Sequence, residues 1–153
     1  LQHLFQGMDL TDGAGNLSPL LLLANNLRAC AVTMLYGLIP FVRLPALALG
    51  VNAVLLGGLA ACYAATDTTM LLYAASLLPH GIFELPALIL AFSMGLYICG
   101  HLTRRCRRDP AALPLGACLG LAARLLVFLL LPLLILAALT EAYVTPLAAG
   151  LFL

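Results

Sequence analysis

Four stretches of the chain, at about 20–40, 45–65, 81–100 and 124–144, each run for some twenty residues with almost no charge. Twenty residues wound as an α-helix cover about 30 Å, the thickness of a bilayer's hydrocarbon core. A water-soluble domain is about a quarter charged. Here charged residues make up 8% and hydrophobic residues 64%, and the mean hydropathy is +1.12. That is too little charge to coat a soluble globule and too much apolar side chain for intrinsic disorder. The expected fold class is all-α: a polytopic helical membrane protein of about four transmembrane helices plus short interfacial or re-entrant helices. Its 153 residues allow one domain. A net charge of +1 argues against a surface for nucleic acid. The lipid bilayer is the first expected partner.

Leu1-Gln2-His3-Leu4-Phe5-Gln6-Gly7 resembles the Leu-Phe-Gln-Gly site cleaved by viral 3C proteases in expression vectors. Residues 1–7 are read as a tag remnant, and 8–153 as a single helical transmembrane domain. No basic region precedes the first apolar run, so no cleavable signal peptide is expected. Residues 8–17 form a polar lead-in. Ser18-Pro19 is expected to start the first helix, with Ser as cap and Pro at the first position. Residues 68–79 are too short to span and are expected to lie at the interface or to dip in, ending at Pro79. Residues 110–122 are read as interfacial too. The five Cys are odd in number and form no CxxC pair. They are read as small hydrophobes, without a disulfide framework or a zinc knuckle.

Arg104, Arg105, Arg107 and Arg108 cluster in the 101–109 loop, which the positive-inside rule places in the cytoplasm. Arg43 and Arg124 then also lie inside, and both termini and the 66–80 connection face outward. This topology brings five polar residues to one depth. Asn26 and Arg28 lie near the outer end of span one, His80 and Glu84 of span three, and Glu141 of span four.

His80 and Glu84, at i and i+4, stack on one helix face. Imidazole with carboxylate can bind a metal, relay a proton or hold a polar substrate. Glu141 completes a His and two-carboxylate set. With an open position, such a set resembles a divalent-metal site, for instance for Zn. The candidate metal ligands are therefore His80, Glu84 and Glu141, and the wider binding set adds Asn26, Arg28 and Asn52. The bland alternative is an ion pair between Arg28 and a Glu, with His80 among headgroups. Asn52, deeper in span two, is read as an interhelical hydrogen-bonding group, and the glycines as packing positions. Walker, dinucleotide, HExxH and nucleophile-elbow motifs are absent from the sequence.

Four segments together resemble the stage II sporulation protein M family of bacterial and archaeal membrane proteins. They are Asn25-Asn26-Leu27-Arg28-Ala29, Asn52 with Gly57, Pro79-His80-Gly81-Ile82-Phe83-Glu84-Leu85-Pro86-Ala87, and Glu141-Ala142-Tyr143-Val144-Thr145-Pro146. The resemblance implies a polytopic inner-membrane protein. The family's namesake acts in engulfment with a peptidoglycan-hydrolase complex, and many relatives occur in organisms that make no spores. Longer members carry an extra N-terminal span that this chain is expected to lack. No catalytic mechanism comes with the family.

Three functions compete. The first is a membrane subunit or scaffold, with the polar cluster facing outward and membrane or cell-wall hydrolases as partners. The second is a metal-binding transporter or channel component using His80, Glu84 and Glu141, with Asn26 behind the ligands. The third, an intramembrane hydrolase with a metal-activated water, ranks last because no motif fixes it. Four spans make a thin wall for a transport path, and the glycine-bearing faces permit a homodimer, which is expected.

Overall fold

The computed structural model describes residues 18–65 and 70–144, and of residues 70–77, 79 and 80 the backbone alone. The tag remnant, the polar lead-in, the 66–69 break, the His80 side chain and Thr145-Pro146 lie outside what is described. Helix α1 spans Pro19–Leu35 and ends in a 3-10 turn at Tyr36–Leu38. Helix α2 spans Leu44–Ala65 and α3 spans Met70–Cys106. Helix α4 covers Leu115–Val144, α-helical at Leu115–Leu125 and Leu131–Leu139 and π-wound at Leu126–Leu130 and Thr140–Val144. Among the described residues there is no strand. The membrane-length segments are Pro19–Leu38, Leu44–Ala65, Gly81–Cys106 and Leu115–Val144, with mean hydropathies of 1.3, 1.9, 1.9 and 2.6. The chain is a multi-pass membrane protein.

The first two spans begin and end within two residues of the expected bounds; the other two differ. Residues 70–79 are not a separate interfacial helix but the first turns of α3, which runs unbroken through Pro79. A proline in a helix interior forfeits one backbone bond. In a bilayer, a broken backbone would lose more, because no water replaces the missing partners. At 37 residues, α3 is about 55 Å long and outlasts the hydrocarbon core by several turns. Its other end reaches Cys106, so residues 101–106 are helix rather than loop. Arg104 and Arg105 in the last turn suit the negative end of the helix dipole.

The stop comes at Arg108. The Asp109 N–H donates to the Arg104 carbonyl and the Arg108 N–H to the Arg105 carbonyl, each at 3.0 Å. Arg108 has φ 60°. This is a Schellman motif with arginine in the left-handed position where glycine is usual. Pro110 follows directly.

Residues 115–122 are likewise not interfacial but open α4, ahead of the expected start at 124. The expected boundary is Arg124. It lies exposed within the helix, where a long side chain can carry its charge toward the interface while its stem lies on apolar surface. The π turn at Leu126–Leu130 sits just before Pro132. Pro132 has no N–H for the carbonyl one turn back, and rewinding is a common response to that gap. The expected Ser18 cap is also corrected. Pro19 opens α1, but the Ser18 side chain makes no capping bond, and its backbone carbonyl accepts from Leu22 N–H at 3.0 Å.

The core lies between α1, α3 and α4. It is built from Cys30 and Met34, from Ala87, Ala91 and Ile98, and from Cys118, Ala122, Leu130 and Leu134. Small residues recur on each helix, which lets backbones approach without a large side chain between them. One close approach is Gly37 against Gly95: a Cβ on Gly37 would collide with the Gly95 carbonyl. Helix α2 contributes nothing to this core. It touches α3 through Pro45, the one buried residue along its described length, and only 6% of its most apolar window is buried.

Candidate functional site

One face of α1 and of the 3-10 turn that ends it carries Leu22, Asn26, Cys30, Thr33 and Gly37, spaced three or four residues apart. Leu22, Cys30, Thr33 and Gly37 are buried and Asn26 is half-buried. Arg28 is two residues on from Asn26, about 200° around the helix, and is exposed. The two residues expected to act together therefore point to opposite sides of α1.

On α3, Glu84 continues the stripe of Ala87, Ala91, Gly95 and Ile98. On α4, Glu141 continues the stripe of Leu130, Leu134, Ala137 and Ala138. Both carboxylates are half-buried. Glu84 lies within electrostatic range of Glu141 and of Cys30. Depth follows from the Gly37–Gly95 contact. Asn26 lies about three turns before Gly37, and Glu84 about three turns before Gly95, on helices running the same way. Helix α4 runs antiparallel and delivers Glu141 from its last turn. Three helices thus turn Asn26, Glu84 and Glu141 to one end of the bundle, opposite the arginine-bearing connections.

The turn that carries Glu141 is π-wound. The Thr140 hydroxyl just before it donates to the Leu136 and Ala137 carbonyls. Such back-bonding competes with the helix ladder, and π turns often accompany functional sites. Asn52 stands apart: it is exposed on α2, and its amide donates to the Ala48 carbonyl of its own helix at 3.0 Å. It makes no bond to another helix among the described residues, so the expected interhelical role is not seen there. His80 is placed by its backbone in α3, one turn before Glu84. Among the described residues, no three His, Cys, Asp or Glu side chains gather as a metal site would need.

The segments that build this end are Asn25–Ala29, Pro79–Ala87 and the turn at Glu141. A family model described as stage II sporulation protein M matches residues 8–146. The chain belongs to the stage II sporulation protein M family. No curated protein and no solved structure matches it. The match takes in all four helices and every polar residue of the cluster.

Cys30 was missed as a neighbour of the cluster, although its i+4 spacing from Asn26 put it on the same face. The Gly37–Gly95 contact that sets the depth was also missed, because no local pattern pairs two glycines so far apart in the chain.

Proposed function

We propose that this member of the stage II sporulation protein M family is an inner-membrane subunit that scaffolds a partner through its Asn26, Glu84 and Glu141 cluster, with His80 beside it. The supporting observation is that three helices spend core-facing positions on polar side chains at one end. Apolar residues would pack there at lower cost, since polar groups inside a membrane are expensive. The positive-inside rule puts the arginine end in the cytoplasm and opens the cluster toward the cell wall. A wall-hydrolase partner fits that side, and the sparsely covered α2 leaves room for a homodimer.

The test is assembly. Wild type and Glu84→Gln/Glu141→Gln are reconstituted with a membrane-anchored wall hydrolase from the same host, and association is read by energy transfer. Lost association with unchanged helical content supports the scaffold. Unchanged association removes it.

Glu84 and Glu141 at one end of the bundle, within electrostatic range of each other, favour a second reading, a divalent-cation site in a transport component. Two carboxylates in range repel, and a shared cation relieves that repulsion. His80 would add a nitrogen ligand suited to Zn. Elemental analysis of the purified chain beside His80→Ala/Glu84→Ala decides this reading. Stoichiometric metal lost in the variant supports it, and a metal-free wild type ends it.

A further inference from the structure

The basic end carries a second feature, remote from the polar cluster and independent of its role. The turn between α1 and α2 is tied to the end of α3: Phe41 N–H donates to Thr103 Oγ1 at 3.0 Å. The Arg107 guanidinium lies over the Phe41 ring, 5.9 Å from its centroid. Phe41 and Val42 are 58% and 59% exposed. Around them Arg43, Arg104, Arg107 and Arg108 are exposed. The acid of this end, Asp109, is half-buried, and its Oδ1 accepts from Ala111 N–H at 2.9 Å, closing the loop.

The backbone here is strained. Phe41, Arg43 and Arg108 have φ of 71°, 49° and 60°, and they are the non-glycine residues of the described chain in the left-handed region. Glycine would relieve each of them. Strain of this kind collects where a site is held in place. Here it retains one aromatic and two arginines on the surface.

We propose that the α1–α2 turn and the end of α3 form a composite site for an anionic phospholipid headgroup. Arg104, Arg107 and Arg108 bind the phosphate, Arg43 flanks it, and Phe41 seats among the upper acyl carbons. A lipid fits because this charge lies at the end of the apolar spans, with exposed apolar side chains set among the arginines. An acidic soluble partner would not need Phe41 and Val42. Each arginine near an anionic surface contributes about 1 kcal/mol, or roughly fivefold in affinity.

The test uses the full chain in detergent with equal amounts of phosphatidylglycerol and phosphatidylcholine, and counts retained lipid by native mass spectrometry. Wild type should retain phosphatidylglycerol preferentially. Each of Arg104→Gln, Arg107→Gln and Arg108→Gln should lower that preference about fivefold, and the Arg→Lys versions should keep most of it. Phe41→Ala removes no charge and should still lower the preference. Circular dichroism confirms that each variant is folded, and if one Gln variant is not, the other two and Phe41→Ala carry the test. Equal retention of the two lipids by wild type overturns the proposal, as does a preference unmoved by the arginine changes. A preference unmoved by Phe41→Ala overturns the composite site and leaves only diffuse charge. Loss of the preference to millimolar inorganic phosphate reassigns the site to a free anion, and loss to an acidic peptide reassigns it to a protein.

Discussion

A Cβ on Gly95 would lie 2.8 Å from the Thr33 carbonyl oxygen and 2.8 Å from Pro45 Cγ. Neither a backbone carbonyl nor a proline ring can swing aside, so helices would have to separate. Gly95→Ala should therefore lower stability by about 1–3 kcal/mol, the usual cost of overpacking, and thermal unfolding in detergent will read it. Gly120 has nothing within 4 Å of its would-be Cβ, and Gly120→Ala should be neutral or slightly stabilising. Arg108 makes the opposite case. Arg108→Gly removes left-handed strain and should raise stability by about 1–2 kcal/mol, while reducing preference for anionic lipid. At this scale much of the site was legible. Asn26, Glu84 and Glu141 stood out because a polar side chain in an apolar run is rare and costly. Which way each points was not legible: Asn26 turns inward and Arg28 outward on the strength of a two-residue offset.

Helices α1 and α2 were readable because Pro19 and Pro40 bracket the first apolar run, and Pro45 and the polar Thr66-Asp67-Thr68-Thr69 bracket the second. The later boundaries were misread for one reason. A single Pro79 or Arg124 looks like an end, yet one lost hydrogen bond or one reaching side chain costs less than breaking a helix in lipid. Helix α2 is the loosest element and presents Val54 and Leu55 to its surroundings. The chain has no Trp, so Val54→Trp supplies a lone indole, and lipids brominated on their acyl chains should quench most of its fluorescence. Weak quenching would mean that α2 is covered by a second copy or a partner.

Across the molecule, Arg43, Arg104, Arg105, Arg107 and Arg108 stand at one end of the bundle and Glu84 and Glu141 at the other, where Arg28 is exposed. A phosphatase reporter fused after residue 153 should be active outside the cell, and a fluorescent reporter there should be dark. The reverse result would invert the protein and turn the Asn26–Glu84–Glu141 end toward the cytoplasm. The membrane class, the four spans and this charge asymmetry were determined by the sequence itself. Transfer into lipid acts on contiguous windows of about twenty residues, and sequence lists those windows directly. Which faces meet was decided only by the tertiary structure. These spans are apolar nearly all round, so they lack the one-sided stripe that marks a buried face in a soluble helix. Rotation and register are set instead by close approaches such as Gly37 on Gly95. Those contacts bring Glu84 within electrostatic range of Glu141 and leave α2 at the edge.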